Sequence, residues 1–335
     1  MEEAGAKIII YANQPVRAAI RAMQDTLELI KKDTRPGAAN DRIVTLSEVY
    51  DIVGVPRMEE DEKQFLPVGG EKITTIIPAA GFEKQLLPLI EDKPKCLLDI
   101  KGKTILERAV AALNQCNIKD IAVVRGYKKE AIALPNLRYY DNDQYEDTGE
   151  LHSIFCAENE LKGRTLILYG DIIFDTAILE KLLKSPADIA IVVDLAWFDQ
   201  HQRHAQAAHP NPDLVSLAEP PGKSYLSRFI MSEGEHRVVK IGRHVPSEEA
   251  HGEFIGMAMF SEKGTQALRD CYRSAQESAR SIGFHEAADL TTASFTDMIQ
   301  ELIDRGHRVD AVPIFKGWTE VDSFEEYQKA WAKIR

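Results

Sequence analysis

Positive charge is in short supply in this sequence. Its 41 lysines and arginines face 53 aspartates and glutamates over 335 residues, a net charge of -12. Such a chain offers no basic surface to nucleic acid or to an anionic membrane. Any phosphate it binds must be held by a local cation or a metal ion. Cysteine is scarce too: Cys96, Cys116, Cys156 and Cys271 lie far apart, with no Cys-x-x-Cys spacing. That usage points to a reducing compartment and away from a zinc site. No apolar run reaches transmembrane length. The start, "MEEAGAKIIIYANQ", sets acidic residues before a short apolar stretch, unlike a signal peptide. The expectation is a cytoplasmic chain with neither nucleic acid nor membrane as partner. No internal repeat is present. What is there, 44% hydrophobic and 28% charged residues, suffices for a sizeable core, in one large α/β domain or two smaller ones.

The pattern divides the chain into residues 1–66, a small helical extension with a linker, and residues 67–335. In the first part, Ile8 to Tyr11 reads as a short strand. Val16, Ala19, Ile20, Met23, Leu27 and Ile30 then keep helical spacing, and Pro15 suits the first turn. "TLSEVYDIVGV" reads as a second helix, with Thr45 and Glu48 spaced as a capping box and Gly54 at its end. The charged, then Pro- and Gly-rich "PRMEEDEKQFLPVGGEK" reads as a linker. So small a segment has too little core to be an enzyme alone. Its strand is expected to dock on the larger part or to pair with another copy, since an uncovered strand invites aggregation.

From Lys72 onward, apolar runs ("ITTIIPA", "IAVVRG", "TLILYGDII", "DIAIVVDLAW") alternate with helix-like segments ("TILERAVAALNQC", "GELHSIFCAENEL", "AILEKLLK"). Alternation with short connections predicts an α/β fold, a mostly parallel sheet with helices on both faces. Ligands of such sheets bind at the carboxyl ends of the strands. His201 to Arg228, polar and rich in His, Pro and Ala, breaks the pattern and reads as a long loop or lid. "EFIGMAMF" and "HRVDAVPIFKGW" read as later strands, and "DLTTASFTDMIQELIDRG" as a helix ending at Gly306.

Four places carry chemistry. "IIPAAGFEKQLLPLIEDKPKCLLDIKGKTILER" (Ile76 to Arg108) opens as a strand and a small-residue turn, Ala79-Ala80-Gly81, whose backbone N–H groups can cradle phosphate. A purely structural turn is the ordinary alternative. In the same stretch, Lys95 follows Pro94 and can reach a triphosphate; its ordinary fate is a solvated surface. Asp171 follows the run Thr165 to Tyr169 and faces the ligand edge, where carboxylates hold magnesium. A turn or helix cap would also explain it. In "KGWTEVDSFEEY", alternation puts Glu320 and Asp322 on one face, while Ser323 and Glu326 have the spacing of a capping box.

Taken in order, these four motifs resemble the sugar-nucleotide-transferase-like superfamily of nucleotidyltransferases, over Lys72 to Arg335. Within it, "NDQYEDTGELHSIFCA" (Asn142 to Ala157) resembles the cytidylyltransferases that activate phosphocholine and phosphonates. The resemblance implies a Rossmann-like nucleotidyltransferase fold, CTP as nucleotide and Mg2+ as cofactor. It implies Mg2+ on Asp171, Glu320 and Asp322, and catalysis by Lys95 and Asp171. It further implies nucleotide contacts from Ala79, Ala80, Gly81, Lys84, Thr148, Gly149, Glu150 and Ser153. The chain departs from the family's G-x-G-x-R at Glu83 and Gln85, so Lys84 or Lys93 is left to meet the distal phosphates. An acceptor's ammonium group calls for a carboxylate or an aromatic face, for which Asp194, Trp197 and Glu253 are candidates.

The N-terminal "IIIYANQPVRAAIRAMQDTLELI" resembles the closing segment of phosphoenolpyruvate phosphomutase, without that enzyme's barrel. The pairing implies a small phosphonate acceptor, 2-aminoethylphosphonate or 2-hydroxyethylphosphonate. Phosphocholine is the alternative. A nucleotide-binding module without turnover is the competing class, motivated by the missing glycine and arginine. A homodimer, or docking through the extension, is the expected mode of association.

Overall fold

The computed structural model describes residues 13–33, 36–54, 72–197, 212–219, 236–278 and 283–333. The chain divides into two compact units, Met1–Gly70 and Glu71–Arg335.

The first unit carries α1 (Gln14–Asp33) and α2 (Leu46–Ile52). The Thr45 hydroxyl accepts from the Glu48 N–H at 3.2 Å, and Glu48 accepts from the Thr45 N–H at 2.7 Å. Gly54 closes the helix at φ +78, a conformation that costs glycine little. Val16, Ile20, Met23 and Leu27 form an exposed stripe on α1. The strand expected over Ile8–Tyr11, with its docking, and the linker lie outside the described residues.

The second unit begins with β1 (Ile73–Ala79). A ribbon, β2 (Asp99–Ile100) and β3 (Lys103–Thr104), leads into α3 (Ile105–Gln115) behind a Thr104–Glu107 capping box. Next come β4 (Asp120–Arg125), β5 (Arg138–Asp141) and α4 (Glu150–Cys156). They are followed by β6 (Arg164–Leu168), β7 (Ile172–Phe174), α5 (Thr176–Leu183) and β8 (Ile189–Asp194). Then β9 (Leu214–Leu217), β10 (His236–Gly242), β11 (Gly252–Phe260) and α6 (Glu262–Ser278) precede α7 (Phe295–Asp304). The chain closes with β12 (Asp310–Ile314), β13 (Trp318–Glu320) and α8 (Phe324–Lys333).

The main sheet has the order β5-β4-β1-β6-β11-β8-β12-β10-β9. β5, β4, β1 and β6 are mutually parallel, and so are β8 and β12. β11 runs antiparallel between β6 and β8. The inner parallel strands are buried on both faces, which is why β4 and β6 read as unbroken apolar runs. The core spreads through them, with Ile76, Ile77, Val123, Leu166, Phe260 and Phe295 fully buried. β9 pairs with β11 as well as with β10, so β11, β8, β12, β10 and β9 close into a five-strand ring. The Rossmann-like α/β expectation holds, as a mixed sheet.

Four details differ from the sequence reading. Within the expected lid, Leu214–Leu217 is strand β9, buried throughout; residues 201–211 and 220–228 lie outside the described residues. The helix expected from Asp289 starts only at Phe295. Ser294 and Asp297 cap it, and Asp289 turns instead onto Thr291 and Thr292. Helix α6 went unread because its apolar side is thin: Leu268, Cys271, Tyr272 and Ala275 are its buried face. Strands β5 and β10 also went unread, being short or rich in charge.

Candidate active site

The Tyr169-Gly170-Asp171 corner between β6 and β7 fixes the centre. The Tyr169 N–H bonds to the Gly256 carbonyl at 2.9 Å. A Cβ on Gly170 would stand 3.0 Å from the Pro78 carbonyl oxygen. Glycine therefore lets the end of β1 approach the corner. β13 pairs with β7, with Glu320 opposite Ile172, and the Val321 N–H bonds to the Asp171 carbonyl. The glutamate is thus carried to the same corner. Asp322 follows, and both its N–H and that of Ser323 donate to Glu326 at 2.9 Å. The capping box is real, and it holds Asp322 in place. Lys95 stands on a 3-10 turn, Lys95–Leu97, behind Pro94, anchored by the buried Cys96 and Leu98.

Lys95 Nζ lies 2.5 Å from Asp171 Oδ2 and 2.7 Å from Asp322 Oδ1. Oxygens of Asp171, Glu320 and Asp322 all fall within 4.8 Å of one another. Burial, then repulsion from Asp322, raises the Asp171 carboxyl above its ordinary range, against the pull of Lys95. Burial, then Asp322 and Asp171, drives Glu320 well above its own. For Lys95, burial opposes the charge, but the three carboxylates win and hold the ammonium well above the usual lysine value. Burial pushes the neighbouring Cys96 thiol up to about 12, so it is no nucleophile. Asp171 Oδ1 is buried with no hydrogen-bond partner among the described residues. A buried carboxylate oxygen without a donor is costly unless a cation meets it. Three hard oxygen donors with that oxygen among them fit a divalent ion such as magnesium.

The Ala79-Ala80-Gly81 turn lies at the end of β1, beside the strand that leads to Asp171. The Ala80 carbonyl accepts from the Tyr127 N–H at 2.9 Å, and a side chain at Gly81 would meet nothing within 4 Å. Open space therefore borders the turn. The departing residues have a local role: Glu83 accepts from the Gln85 N–H at 3.2 Å and caps the turn Lys84–Leu86. Lys84 is exposed there. Thr148 and Ser153 both accept from the Asn142 side-chain amide, at 2.9 and 3.0 Å. Gly149 caps α4, and a Cβ there would stand 2.2 Å from the Ala293 carbonyl oxygen. Glu150 accepts from the Tyr169 hydroxyl at 2.7 Å.

The candidate acceptor contacts fare differently. Asp194 is fully buried and accepts from the Ala196 and Lys316 N–H groups and the Trp318 indole, at 2.8, 3.0 and 2.9 Å. With its oxygens so engaged, it braces the segment that delivers Glu320 instead of facing an open ligand space. Trp197 is buried against Leu214 and Val245, a core ring. Glu253 stands opposite Asp194 in the β11–β8 ladder and repels Glu320. Sequence reasoning missed Asp213 and Arg243, whose carboxylate and guanidinium are 3.6 Å apart. Burial, then Glu150, pushes the Asp213 carboxyl up to about 7. The one signal for Arg243 was the glycine before it.

The carboxyl edge of a Rossmann-like sheet thus gathers a lysine, three carboxylates and a small-residue turn. The MobA-like NTP transferase domain matches residues 76–236. A CTP:phosphoglutamine cytidylyltransferase from Campylobacter jejuni is 28% identical over 269 residues, 76% of this chain and 98% of the relative. A 2-aminoethylphosphonate cytidylyltransferase from Lancefieldella rimae is 32% identical over 109 residues, 31% of this chain and 44% of the relative. The solved CTP:phosphocholine cytidylyltransferase from Streptococcus pneumoniae aligns with a TM-score of 0.57 at 17% identity. That alignment covers 79% of this chain and all of that one, and it speaks for the fold. All three relatives are cytidylyltransferases.

Proposed function

We propose that this chain transfers CMP from CTP to a small acceptor bearing a phosphonate or phosphate, with release of pyrophosphate. The observation that carries the reading is the meeting of Lys95, Asp171, Glu320 and Asp322 beside the Ala79–Gly81 turn. The cytidylyltransferase relatives support the nucleotide. They support phosphocholine as well as a phosphonate. The first choice, 2-aminoethylphosphonate, rests on the mutase-like N-terminal segment, and 2-hydroxyethylphosphonate is its near neighbour.

In the proposed reaction an acceptor oxygen attacks the α-phosphorus of CTP. The new P–O bond forms as the α–β bridging bond breaks in line, and pyrophosphate carries the electron pair away. The acceptor is already anionic near neutral pH, so no strong base is required. The chain's task is to position and neutralise. Backbone groups of Ala79, Ala80 and Gly81 bind nucleotide phosphate. Lys95 stabilises charge on the transferred phosphoryl group. Asp171, Glu320 and Asp322 would hold magnesium, which when bound offsets the charge on nucleotide and acceptor oxygens. Lys84 and Lys93 are left to contact the distal phosphates.

The test is pyrophosphate release from CTP with magnesium and 2-aminoethylphosphonate, 2-hydroxyethylphosphonate or phosphocholine. A higher kcat/KM for a phosphonate is expected. A clear preference for phosphocholine shifts the acceptor, and CTP binding without any turnover sinks the enzyme reading.

A further inference from the structure

The strand register gathers a second polar group at the ligand edge. Glu253 of β11 stands opposite Asp194, the carboxyl end of β8. Leu214 of β9 stands opposite Glu253, and Gly242 of β10 opposite Leu214. Closure of the five-strand ring thus puts Asp213 and Arg243, one residue beyond each strand, beside the centre. In strand order they lie on the far side of β6 from the Ala79–Gly81 turn.

Arg243 is held there through its backbone. The N–H groups of Arg243 and His244 donate to the Glu286 carboxylate at 2.9 and 2.7 Å. Gly242 has φ +142, and a Cβ on it would stand 2.5 Å from a Glu286 oxygen, so only glycine fits. Glu286 is fixed in turn by its own N–H to Asp297, the cap of α7. The side chain is left less engaged. It is half exposed, and its distance of 3.6 Å to Asp213 is an ion pair but not a hydrogen bond. Its guanidinium donates no hydrogen bond among the described residues. Burial works against its charge, while Asp213, Glu150 and Glu320 hold it in place.

A clamped arginine with its N–H fork open, beside a carboxylate centre, suits a planar pair of bonds to a phosphoryl anion. We propose that Arg243 binds the anionic phosphonate or phosphate of the acceptor, with Gly242 and Glu286 positioning it. This rests on the transferase reading above. The nucleotide's distal phosphates are the less suitable ligand, because the turn that cradles the nucleotide is across β6. Bound there, the acceptor brings its attacking oxygen to the centre from the side opposite the leaving pyrophosphate.

The experiment compares wild type, Arg243→Gln, Arg243→Lys and the pair Arg243→Gln/Asp213→Asn. The last keeps the pocket from holding an unpaired carboxylate. KM for 2-aminoethylphosphonate and for phosphocholine, in separate arms, should rise tenfold or more in both glutamine variants, and less in the lysine variant. KM for CTP should stay within about twofold. Methylphosphonate titrated onto the CMP-loaded protein reads the anion contact without turnover. Its binding should weaken tenfold or more in Arg243→Gln. An unchanged acceptor KM, an equal rise for CTP, or methylphosphonate binding that is absent in wild type or equal in the variant overturns the proposal. If wild type turns over neither acceptor, the transferase reading fails instead, and the methylphosphonate titration still decides Arg243.

Discussion

Asp171→Asn separates a metal ligand from a structural brace. The amide keeps the size of the side chain, and its oxygen can still accept from Lys95, now 2.5 Å from the carboxylate. Going from an ion pair to a bond between the ammonium and a neutral amide oxygen loses about 1 kcal/mol. Removing one of three mutually repelling carboxylates works the other way. The stability of the metal-free protein should therefore move by no more than about 1 kcal/mol, or roughly 2–4 °C in Tm for a domain of this size. Activity should drop by about 10²-fold or more, because a main electrostatic element is gone. Magnesium at ten times its Kd should stabilise wild type by about 1.4 kcal/mol, and the variant much less. Turnover at saturating CTP and magnesium, paired with melting curves with and without magnesium, measures all three. A variant that keeps kcat within about threefold while melting several degrees lower without metal would refute the ligand role.

Three further outcomes are expected. Asp213 has its carboxyl raised to about 7 from 3.8. A raised acid takes up its proton more readily when folded, so it does no harm below pH 4 and costs increasing stability up to about pH 7. Asp213→Asn should therefore stabilise by up to about 4 kcal/mol at pH 8, the pull of Arg243 being already contained in the raised value, and by almost nothing at pH 4; urea midpoints at the two pH values check it. Asp194→Ala should cost about 3 kcal/mol, since one buried and two part-buried donors lose their acceptor, and kcat should fall with it as the brace on Glu320 loosens. Gly149→Ala should destabilise by about 1–3 kcal/mol through the 2.2 Å clash with the Ala293 carbonyl, seen as a lower Tm.

The cluster of Lys95, Asp171, Glu320 and Asp322 was legible because each of its parts sits where a period changes. Asp171 ends an apolar run at a glycine, Lys95 follows a proline, and Glu320 and Asp322 alternate across the end of the short strand β13. What the sequence hid depends on closure in three dimensions. Asp213 lies in a polar stretch with no period of its own, and only its pairing with Glu253's neighbourhood brings it to the ligand edge. Arg243 is one of many surface-type arginines until the Glu286 clamp singles it out. Asp194 was a candidate because an acceptor's ammonium group calls for a carboxylate, and, like Asp171, it ends a buried strand. The difference is that Trp318 and Lys316 fold back onto it, from more than a hundred residues away.

The bond between Lys95 and Asp322 spans 227 residues, and this sets a timetable. A ribosome working at about 5–20 residues per second needs roughly 10 to 45 s to travel from one to the other. Through that interval the growing chain can assemble β1, β4 and β6 with most of their helices, yet it holds Lys95 and Asp171 without Glu320 or Asp322. The segment that completes the carboxylate set is made long after Lys95, so a chain cut just before Trp318 carries the strands of the main sheet without Glu320 or Asp322.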